Sequence, residues 1–514
     1  MPQDISANNK RIARNTAFLY LRMAFVLIVS IYTTRVILKT LGVEDFGINN
    51  VVTGFVALFG FLSQTLSSAI QRFYNFDLGK NQGKNLKDVY ITSLTVQLLL
   101  SFIILLLGET VGLWYINRVM VLSPERLEAA NRLYQFAVIS FVVGILTVPY
   151  RAAINAFERM DFFAVVSVVD VLLKLGIVIA LPWIPCDKLS MYGFLLLCVM
   201  VFDLAVYYFY CKVQLDFIHF AFKPNKQLLN SILSFSGWNV FGTFAYISRE
   251  QGTNMLLNFF FGTVVNAARG VSYQVMGAIQ GFTSSVNVAF NPQLTQSYAE
   301  GNYDRTLKLM FSMSKITFFL FYVMCVPIII EIDYILNLWL GNNVPEQTNI
   351  FTILVLINML ISNFNAPVTQ LVFANGDNKM YQVCSTITNL SFLPLAFVFL
   401  LMGVDAISVF VLLIIFSIIN QMVCLWVLSK KIVFFKIRQY CVSVILPSLI
   451  VFIVAPLLPY FVSHYLSESF LKFLAIFFLS VMSTMIFSYY LGCNSTERKM
   501  IKVSVLSFKQ RFFK

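Results

Sequence analysis

Charged residues lie inside stretches of the sequence that are apolar enough to span a membrane. A charge in hydrocarbon costs roughly 2.5–3.5 kcal/mol on insertion scales, so it persists where it lines a water-filled cavity or has a partner. The cations outnumber the acids: Arg22, Arg35, Lys174, Arg249 and Arg269 against Asp170, Asp203 and Glu250. This surplus predicts an interior that receives a negatively charged molecule.

Two of these arginines have no acidic residue close by in the sequence. Arg22 lies eight residues beyond Arg14, which places it about 12 Å into the membrane at about 1.5 Å per residue. Arg269 lies seven residues beyond Gly262, about 10 Å below the outer surface. We therefore predict that Arg22 and Arg269 face a substrate.

The other charged residues have local partners or an exit to water. Asp170 and Lys174 are four residues apart and can pair on one helix face, so a structural ion pair is predicted there. Arg249 adjoins Glu250, and either mutual neutralisation or contact with a substrate fits that arrangement. Arg35 is close enough to a helix end to extend its head to the interface. The acids at this depth are candidates for coupling to protons or sodium: Asp170, Asp203 and Glu250.

Two predicted spans, the second and the eighth, are unusually polar. The second carries Gln64 among several serines and threonines, and the eighth carries Gln280 in a similar setting. Helices this polar should not face lipid all round. We predict that Gln64 and Gln280 line a hydrated cavity, the alternative being hydrogen bonds between packed helices.

The elements that carry these residues are predicted from hydropathy. The chain has 514 residues, of which 59% are hydrophobic and 12% charged, whereas soluble domains carry about 25% charged residues. Apolar runs of about 20 residues predict an all-α polytopic membrane protein. About fourteen spans can be drawn, near residues 15–38, 47–70, 89–110, 133–156, 162–181, 190–211, 231–250, 263–290, 309–330, 350–374, 381–402, 406–429, 440–461 and 468–491.

The distribution of Lys and Arg predicts the orientation of these spans. With the N-terminus inside, the outer loops hold five of the chain's 37 basic residues, and the cytoplasmic segments hold most of the rest. The positive-inside rule then places both termini in the cytoplasm. It also accounts for the net charge of +13, so no nucleic-acid partner is predicted.

Signals for enzymes, metals and cofactors are scarce. The eight cysteines form no CxxC pair and mostly lie in apolar runs, and the two histidines lie in separate loops. No P-loop, paired-carboxylate or nucleophile motif stands out. We expect no catalytic site, no metal and no cofactor.

A weak internal repeat divides the chain. Leu41-Gly42 closes the first span and Phe261-Gly262 closes the seventh, 220 residues later. Such a repeat predicts two six-helix halves of the same topology. The predicted divisions are 1–222 for spans one to six, 223–436 for spans seven to twelve, 437–491 for two appended spans and 492–514 for a basic cytoplasmic tail.

With this layout in hand, the chain resembles the Wzx-type oligosaccharide flippases, in the polysaccharide-export branch of the MOP superfamily that also contains the MATE exporters and the lipid II flippase MurJ. The likeness covers nearly the whole chain. Its most similar segments are residues 33–38 (TTRVIL), 41–47 (LGVEDFG), 148–158 (VPYRAAINAFE) and 266–270 (NAARG).

The resemblance implies a bacterial inner-membrane protein with two six-helix lobes around a central, often cationic cavity. It implies alternating access that moves an undecaprenyl-diphosphate-linked oligosaccharide from the cytoplasmic to the periplasmic leaflet, for O-antigen or capsule synthesis. Implied partners are the lipid-linked oligosaccharide and the pathway's polymerase and glycosyltransferases. By resemblance to MurJ, Arg22 and Arg269 line the cavity. MurJ also uses a basic residue in its second span, which this chain lacks between residues 47 and 70, leaving Arg249 or Lys174 as candidates for that place.

Two other function classes remain as alternatives. A MATE-like, cation-coupled multidrug antiporter should favour buried acids, yet the first span has none. An integral membrane polysaccharide polymerase or ligase would need an outer catalytic loop or a buried acid–base pair.

Overall fold

The computed structural model describes residues 5–80, 84–157, 159–218, 224–377, 379–467, 469–495 and 497–498. Its description of side chains begins at residue 23 and leaves out residues 62, 64, 65, 68, 79–80, 233–239, 282, 285–286, 288–289 and 292. Every regular element in these ranges is helical, which confirms the predicted all-α polytopic fold.

The chain forms two compact units. Unit 1 comprises residues 1–270 and 393–406, and unit 2 comprises residues 271–392 and 407–514. The helices that begin in unit 1 are α1 (Ile5–Ala57), α2 (Gly60–Lys80), α3 (Leu86–Leu107), α4 (Leu113–Arg118), α5 (Leu127–Ala156), α6 (Met160–Ala180), α7 (Lys188–Gln214), α8 (Lys226–Phe261) and α9 (Thr263–Ala299).

The remaining helices belong wholly or mainly to unit 2. They are α10 (Tyr303–Ile330), α11 (Ile332–Leu340), α12 (Thr348–Ser362), α13 (Asn365–Asn375), α14 (Lys379–Leu401), α15 (Ala406–Lys431), α16 (Ile437–Tyr440), α17 (Leu446–Val454), α18 (Leu457–Tyr465) and α19 (Phe470–Phe487). The predicted divisions of the chain into functional lobes remain a prediction.

Eleven helical stretches in the described part of the chain are long and apolar enough to cross a membrane. The helices α2, α8 and α9 are also of membrane length but more polar, with 21, 36 and 37 residues. The helices α8 and α9 correspond to the seventh and eighth predicted spans, and α2 contains the second half of the second span, whose first half lies in α1. The count of about fourteen is therefore a fair approximation.

Two glycines shape unit 1 at the ends of the first and seventh predicted spans. Gly42 has φ 85° and ψ 172° inside α1, and Gly262 has φ 76° and ψ −170° at the end of α8. An L-residue with a side chain rarely adopts such angles. The same backbone conformation therefore occurs at both glycines of the weak sequence repeat.

The C-terminal half of α1 packs closely on α8 and α9 through small residues. A Cβ at Gly47 would lie 2.0 Å from the Thr263 carbonyl oxygen, and a Cβ at Gly54 would lie 2.6 Å from Gln251 Oε1. Gly270 of α9 comes equally close to Asn50 of α1, with 2.7 Å from its ideal Cβ position to Asn50 Oδ1. Small residues at helix contacts in membranes allow the backbones to approach. This packing positions the charged residues of α8 and α9.

Candidate charged site in unit 1

Three charged side chains from α8 and α9 meet inside unit 1, and we call them the arginine cluster: Arg249, Glu250 and Arg269. Arg249 Nη2 lies 2.9 Å from Glu250 Oε1, and Arg269 Nη2 lies 3.4 Å from Glu250 Oε2. Arg269 Nη2 also donates to the Glu250 carbonyl oxygen at 2.9 Å. Both arginines are 7% exposed. Two guanidinium groups share one carboxylate, so the three residues carry a net charge of +1.

A ladder of asparagines holds the helices around this cluster. Asn266 of α9 donates to the Asn254 carbonyl and side-chain oxygens of α8, at 2.7 and 2.8 Å. Asn254 in turn donates to the Asn50 carbonyl of α1 at 3.0 Å. Hydrogen bonds between buried amides of different helices fix helix registers, because leaving such a bond unmade is costly. These hydrogen bonds therefore link α1, α8 and α9 around the arginine cluster, whose three residues lie on α8 and α9.

The structure corrects one expectation from the sequence. Arg269 was expected to have no acidic neighbour, yet the α8–α9 hairpin brings Glu250 to it across 19 positions of sequence. A helical hairpin turning at Gly262 is the signal that sequence reasoning missed. The seventh predicted span, drawn near residues 231–250, continues in the structure as α8 to Phe261. The assignment of Arg249 and Arg269 to substrate contact remains a prediction.

An apolar crevice adjoins the arginine cluster along α8. It has a volume of about 420 Å³, and Ser248 and Gly252, which line it, flank Arg249 and Glu250 in the helix. Its other lining residues are mainly aromatic or aliphatic: Phe55, Leu58, Phe59, Phe61, Leu107, Val111, Phe244, Met255 and Leu393. Unit 1 thus places buried positive charge and an apolar surface on neighbouring parts of one helix.

A second charged group joins α5, α6 and α7, and we call it the aspartate cluster: Arg151, Asp170, Lys174, Asp203 and Tyr207. Lys174 donates to Asp170 Oδ2 at 2.8 Å, as the i,i+4 spacing predicts. Arg151 Nη2 lies 3.8 Å from Asp203 Oδ2, and its Cζ lies 5.1 Å from the centre of the Tyr207 ring. Sequence reasoning missed Arg151 as a partner because 52 positions separate it from Asp203.

The other predicted site residues are placed separately. The side chains of Arg22 and Gln64 lie outside the described residues. Arg35 is exposed on α1, and Gln280 is half-buried on α9 within unit 2. On α9, Ser272 accepts a hydrogen bond from Thr352 of α12 at 3.0 Å. Part of the polar surface of the eighth span therefore serves contacts between helices.

Buried ion pairs also occur in unit 2. Lys315 of α10 is 3% exposed and pairs with Glu497, which lies beyond the last span. Lys472 Nζ of α19 lies 3.5 Å from Glu331 Oε1. Buried cations in this unit are thus matched by acids distant in sequence.

No group of three or more His, Cys, Asp or Glu side chains within the described ranges could hold a metal ion. Each of the eight cysteines is free.

Comparison with known proteins places this geometry in context. Residues 19–180 match the MatE family model, which covers about a third of the chain. A curated protein of Bacillus subtilis (strain 168), the uncharacterized membrane protein EpsK, is 24% identical over 290 residues, or 55% of this chain and 56% of that protein. The match thus spans little more than half of that relative's length.

The fold has clear counterparts among solved structures. The lipid II flippase MurJ, in an inward closed conformation, superposes with a TM-score of 0.70 at 16% identity, covering 92% of this chain and 98% of MurJ. An inward-facing multidrug resistance MATE transporter of the MOP superfamily superposes with a TM-score of 0.62 at 14% identity, covering 80% and 98%. These likenesses show that the chain shares its fold with MurJ and with a MATE transporter.

Proposed function

We propose that this protein is a flippase that moves an undecaprenyl-diphosphate-linked oligosaccharide from the cytoplasmic to the periplasmic leaflet of a bacterial inner membrane. The observation that carries the proposal is the arginine cluster, a buried pair of guanidinium groups with one carboxylate between them. The proposal is also supported by the comparison with solved structures, because the chain shares its fold with a lipid II flippase over 92% of the sequence.

The chemistry of the cluster suits a diphosphate. A guanidinium group offers two parallel N–H donors to phosphate oxygens. The three residues have a formal charge of +1 among themselves, and a buried setting strengthens the attraction of this charge for an arriving anion, because the effective dielectric constant is lower there than in water. In this mechanism the diphosphate displaces Glu250 as the partner of one arginine, and Glu250 recovers that arginine when the lipid leaves. Arg22 and Lys174 remain candidates for further contacts.

The two ends of the substrate have different requirements. The glycan needs polar partners, for which Gln64 and Gln280 stay predictions from the sequence, and the first isoprene units of the carrier fit the apolar crevice beside α8. No bond of the substrate is made or broken in this process, so we expect no enzymatic activity. The polymerase and glycosyltransferases of O-antigen or capsule synthesis would act before and after it.

A MATE-like cation-coupled drug antiporter is the second candidate. Two observations favour it: the MatE match over residues 19–180, and two acids of unit 1, the half-buried Asp170 and the buried Asp203. A positively charged drug would bind to carboxylates and be repelled by the surplus charge of the arginine cluster.

Translocation in liposomes tests both candidates. The purified chain is reconstituted, a fluorescent diphosphate-linked oligosaccharide is placed in both leaflets, and the fraction accessible to an impermeant quencher is followed. We expect protein-dependent movement between leaflets with no change in the mass of the lipid. Uptake of a cationic dye under a proton or sodium gradient, without lipid movement, would favour the antiporter instead.

A further inference from the structure

The aspartate cluster contains a buried carboxylate whose hydrogen bonds are incomplete. The Asp203 side chain is 4% exposed, and its only ion-pair contact within the described residues is the 3.8 Å approach to Arg151. Asp203 Oδ1 is buried and has no hydrogen-bond partner there. Buried polar atoms are normally paired, so an orphaned oxygen calls for an explanation. Oδ1 is a position where a proton can be accepted without breaking an existing bond.

Arg151, unlike Asp203, is partly open to its surroundings. Its side chain is 41% exposed, while its Nε atom is buried without a partner. A separation of 3.8 Å is long for a charge-assisted hydrogen bond, which normally measures about 2.7–2.9 Å. The Tyr207 ring supports the guanidinium from one side at 5.1 Å. Arg151 is therefore positioned by its neighbours but loosely held, and part of its donor surface is open to another anion.

The remaining charged groups around Asp203 belong to α6. Asp170 and Lys174 both interact with it electrostatically, and they form a close ion pair with each other at 2.8 Å. This leaves Arg151 as the cation whose strength of attraction depends on the charge of Asp203. With both carboxylates ionised, the charges of Arg151, Asp170, Lys174 and Asp203 sum to zero.

We infer that Arg151 and Asp203 form a proton-gated anion site, in which protonation of Asp203 releases Arg151 to bind a phosphate of the substrate. This inference rests on the proposed function for its anionic substrate. A proton from water adds to Asp203 Oδ1 and forms an O–H bond, and the neutral acid no longer attracts the guanidinium. The cluster then carries +1 and binds an anion. Loss of the proton restores the pairing and expels the anion, so phosphate binding and proton uptake are linked one to one.

The linkage is measurable with farnesyl diphosphate as a probe. The full chain in lipid nanodiscs is titrated with this probe between pH 5.5 and 8.5, with empty nanodiscs as the blank. One linked proton predicts that the affinity rises up to tenfold for each unit by which pH falls. The probe's own terminal phosphate gains a proton near pH 6 and acts in the opposite sense, so the variants below supply the reference.

Two variants isolate the gate. Asp203→Asn keeps the shape of the protonated acid, and we expect it to bind the probe tightly with only the probe's own pH response. Arg151→Gln should lose the rise in affinity at low pH and keep only the binding that the arginine cluster supplies, while Arg132→Gln, at an exposed surface pair, should match the wild type. Calorimetry in buffers of different ionisation enthalpy should show proton uptake by the wild type and none by Asp203→Asn.

The outcomes separate this inference from the proposed function. If the wild type binds the probe but Asp203→Asn keeps the same pH slope, the gate is wrong and the flippase proposal stands. A further titration replaces sodium by choline. If this replacement changes the affinity for the probe and a change of pH does not, Asp203 binds a metal ion and the gate is wrong. If the wild type does not bind the probe at any pH, both proposals fail.

Discussion

Buried charge in this chain is organised around shared carboxylates. Glu250 lies between Arg249 and Arg269, at 2.9 and 3.4 Å. Because both arginines are buried, water competes little for the carboxylate that they share. Removing the shared acid from such a group leaves two like charges buried close together. Removing one arginine leaves a neutral pair. The two kinds of substitution should therefore differ in what they damage.

We predict that Glu250→Gln destabilises the protein, whereas Arg269→Gln leaves it folded and impairs transport. Breaking a buried ion pair costs about 3–5 kcal/mol because a charge remains behind. Losing a charged hydrogen-bond donor to the substrate costs roughly 1.5–3 kcal/mol, which is about ten- to hundredfold in rate. Thermal unfolding in detergent and the liposome assay measure the two effects.

The exposed pair at Arg132, with 54% of its side chain accessible, supplies the control. Arg132→Gln should change neither stability nor transport by more than a small amount, because surface ion pairs contribute little. Normal translocation by Arg269→Gln would remove that arginine from the mechanism.

A second residue-scale network lies where α5 and α7 begin. Arg126 Nη1 lies 2.7 Å from Asp187 Oδ2, and Arg126 Nε donates to Asp45 at 2.8 Å. Asp187 also accepts bonds from the Ser190 N–H and hydroxyl, both at 2.8 Å. Burial alone would raise the pKa of Asp187, but these hydrogen bonds and the Arg126 charge outweigh it and hold the pKa below its ordinary value.

This shift predicts a pH dependence of stability with a definite sign. A carboxyl whose pKa is lower in the folded state stabilises the fold above its unfolded value, 3.8, and loses that contribution as pH falls through the folded pKa. The difference in melting temperature between wild type and Asp187→Asn should be constant above about pH 5 and shrink toward pH 3. A difference that grows on acidification would contradict the assignment.

At the scale of elements, the close contact of α1 with α8 and α9 depends on glycine. The Cβ position of Gly47 would lie 2.0 Å from the Thr263 carbonyl oxygen, which is a backbone atom and has little room to move. Overpacking usually costs about 1–3 kcal/mol, and more where backbone must shift. The same contact carries the asparagine ladder that fixes the arginine cluster.

We therefore predict that Gly47→Ala lowers stability and transport together, because it separates α1 from α8 and α9. Gly176→Ala is the matched control, since a Cβ at that position in α6 meets nothing within 4 Å. Alanine in a helix interior is about 0.5–1 kcal/mol more favourable than glycine. Equal melting temperatures for the two variants would show that the contact between Gly47 and Thr263 has room for a methyl group.

The sequence predicts these helices well and their partners poorly. Hydropathy locates the spans because twenty apolar residues have few alternatives in a membrane. The polar residues 249–252 do not end the seventh span at residue 250, and the acid among them, Glu250, pairs with Arg269 of α9. Asn254 binds the Asn50 carbonyl 204 positions away, and no local pattern encodes that pairing. The spacing of Asp170 and Lys174 did predict their contact, since it lies on one helix.

At the scale of the whole molecule, the predicted topology separates charge by side of the membrane. This topology follows from loop charges alone: it assigns five of the chain's 37 basic residues to outer loops. Fourteen spans with both termini inside would place the loop that contains Cys186 outside and Asn85 inside. Cys186 is exposed, so the chain carries its own reporter for the outer side.

We predict that an impermeant maleimide labels Cys186 in intact spheroplasts when the other seven cysteines are replaced by serine. A matched variant that has Asn85→Cys and Cys186→Ser should be labelled only after the membrane is opened. Both positions are exposed in the structure, so a difference in labelling reports sidedness and not burial. Labelling of the Asn85→Cys variant alone in sealed cells would invert the topology. Every loop would then lie on the side opposite to the one predicted from the positive-inside bias. The proposed direction of transport, relative to the loops, would be reversed as well.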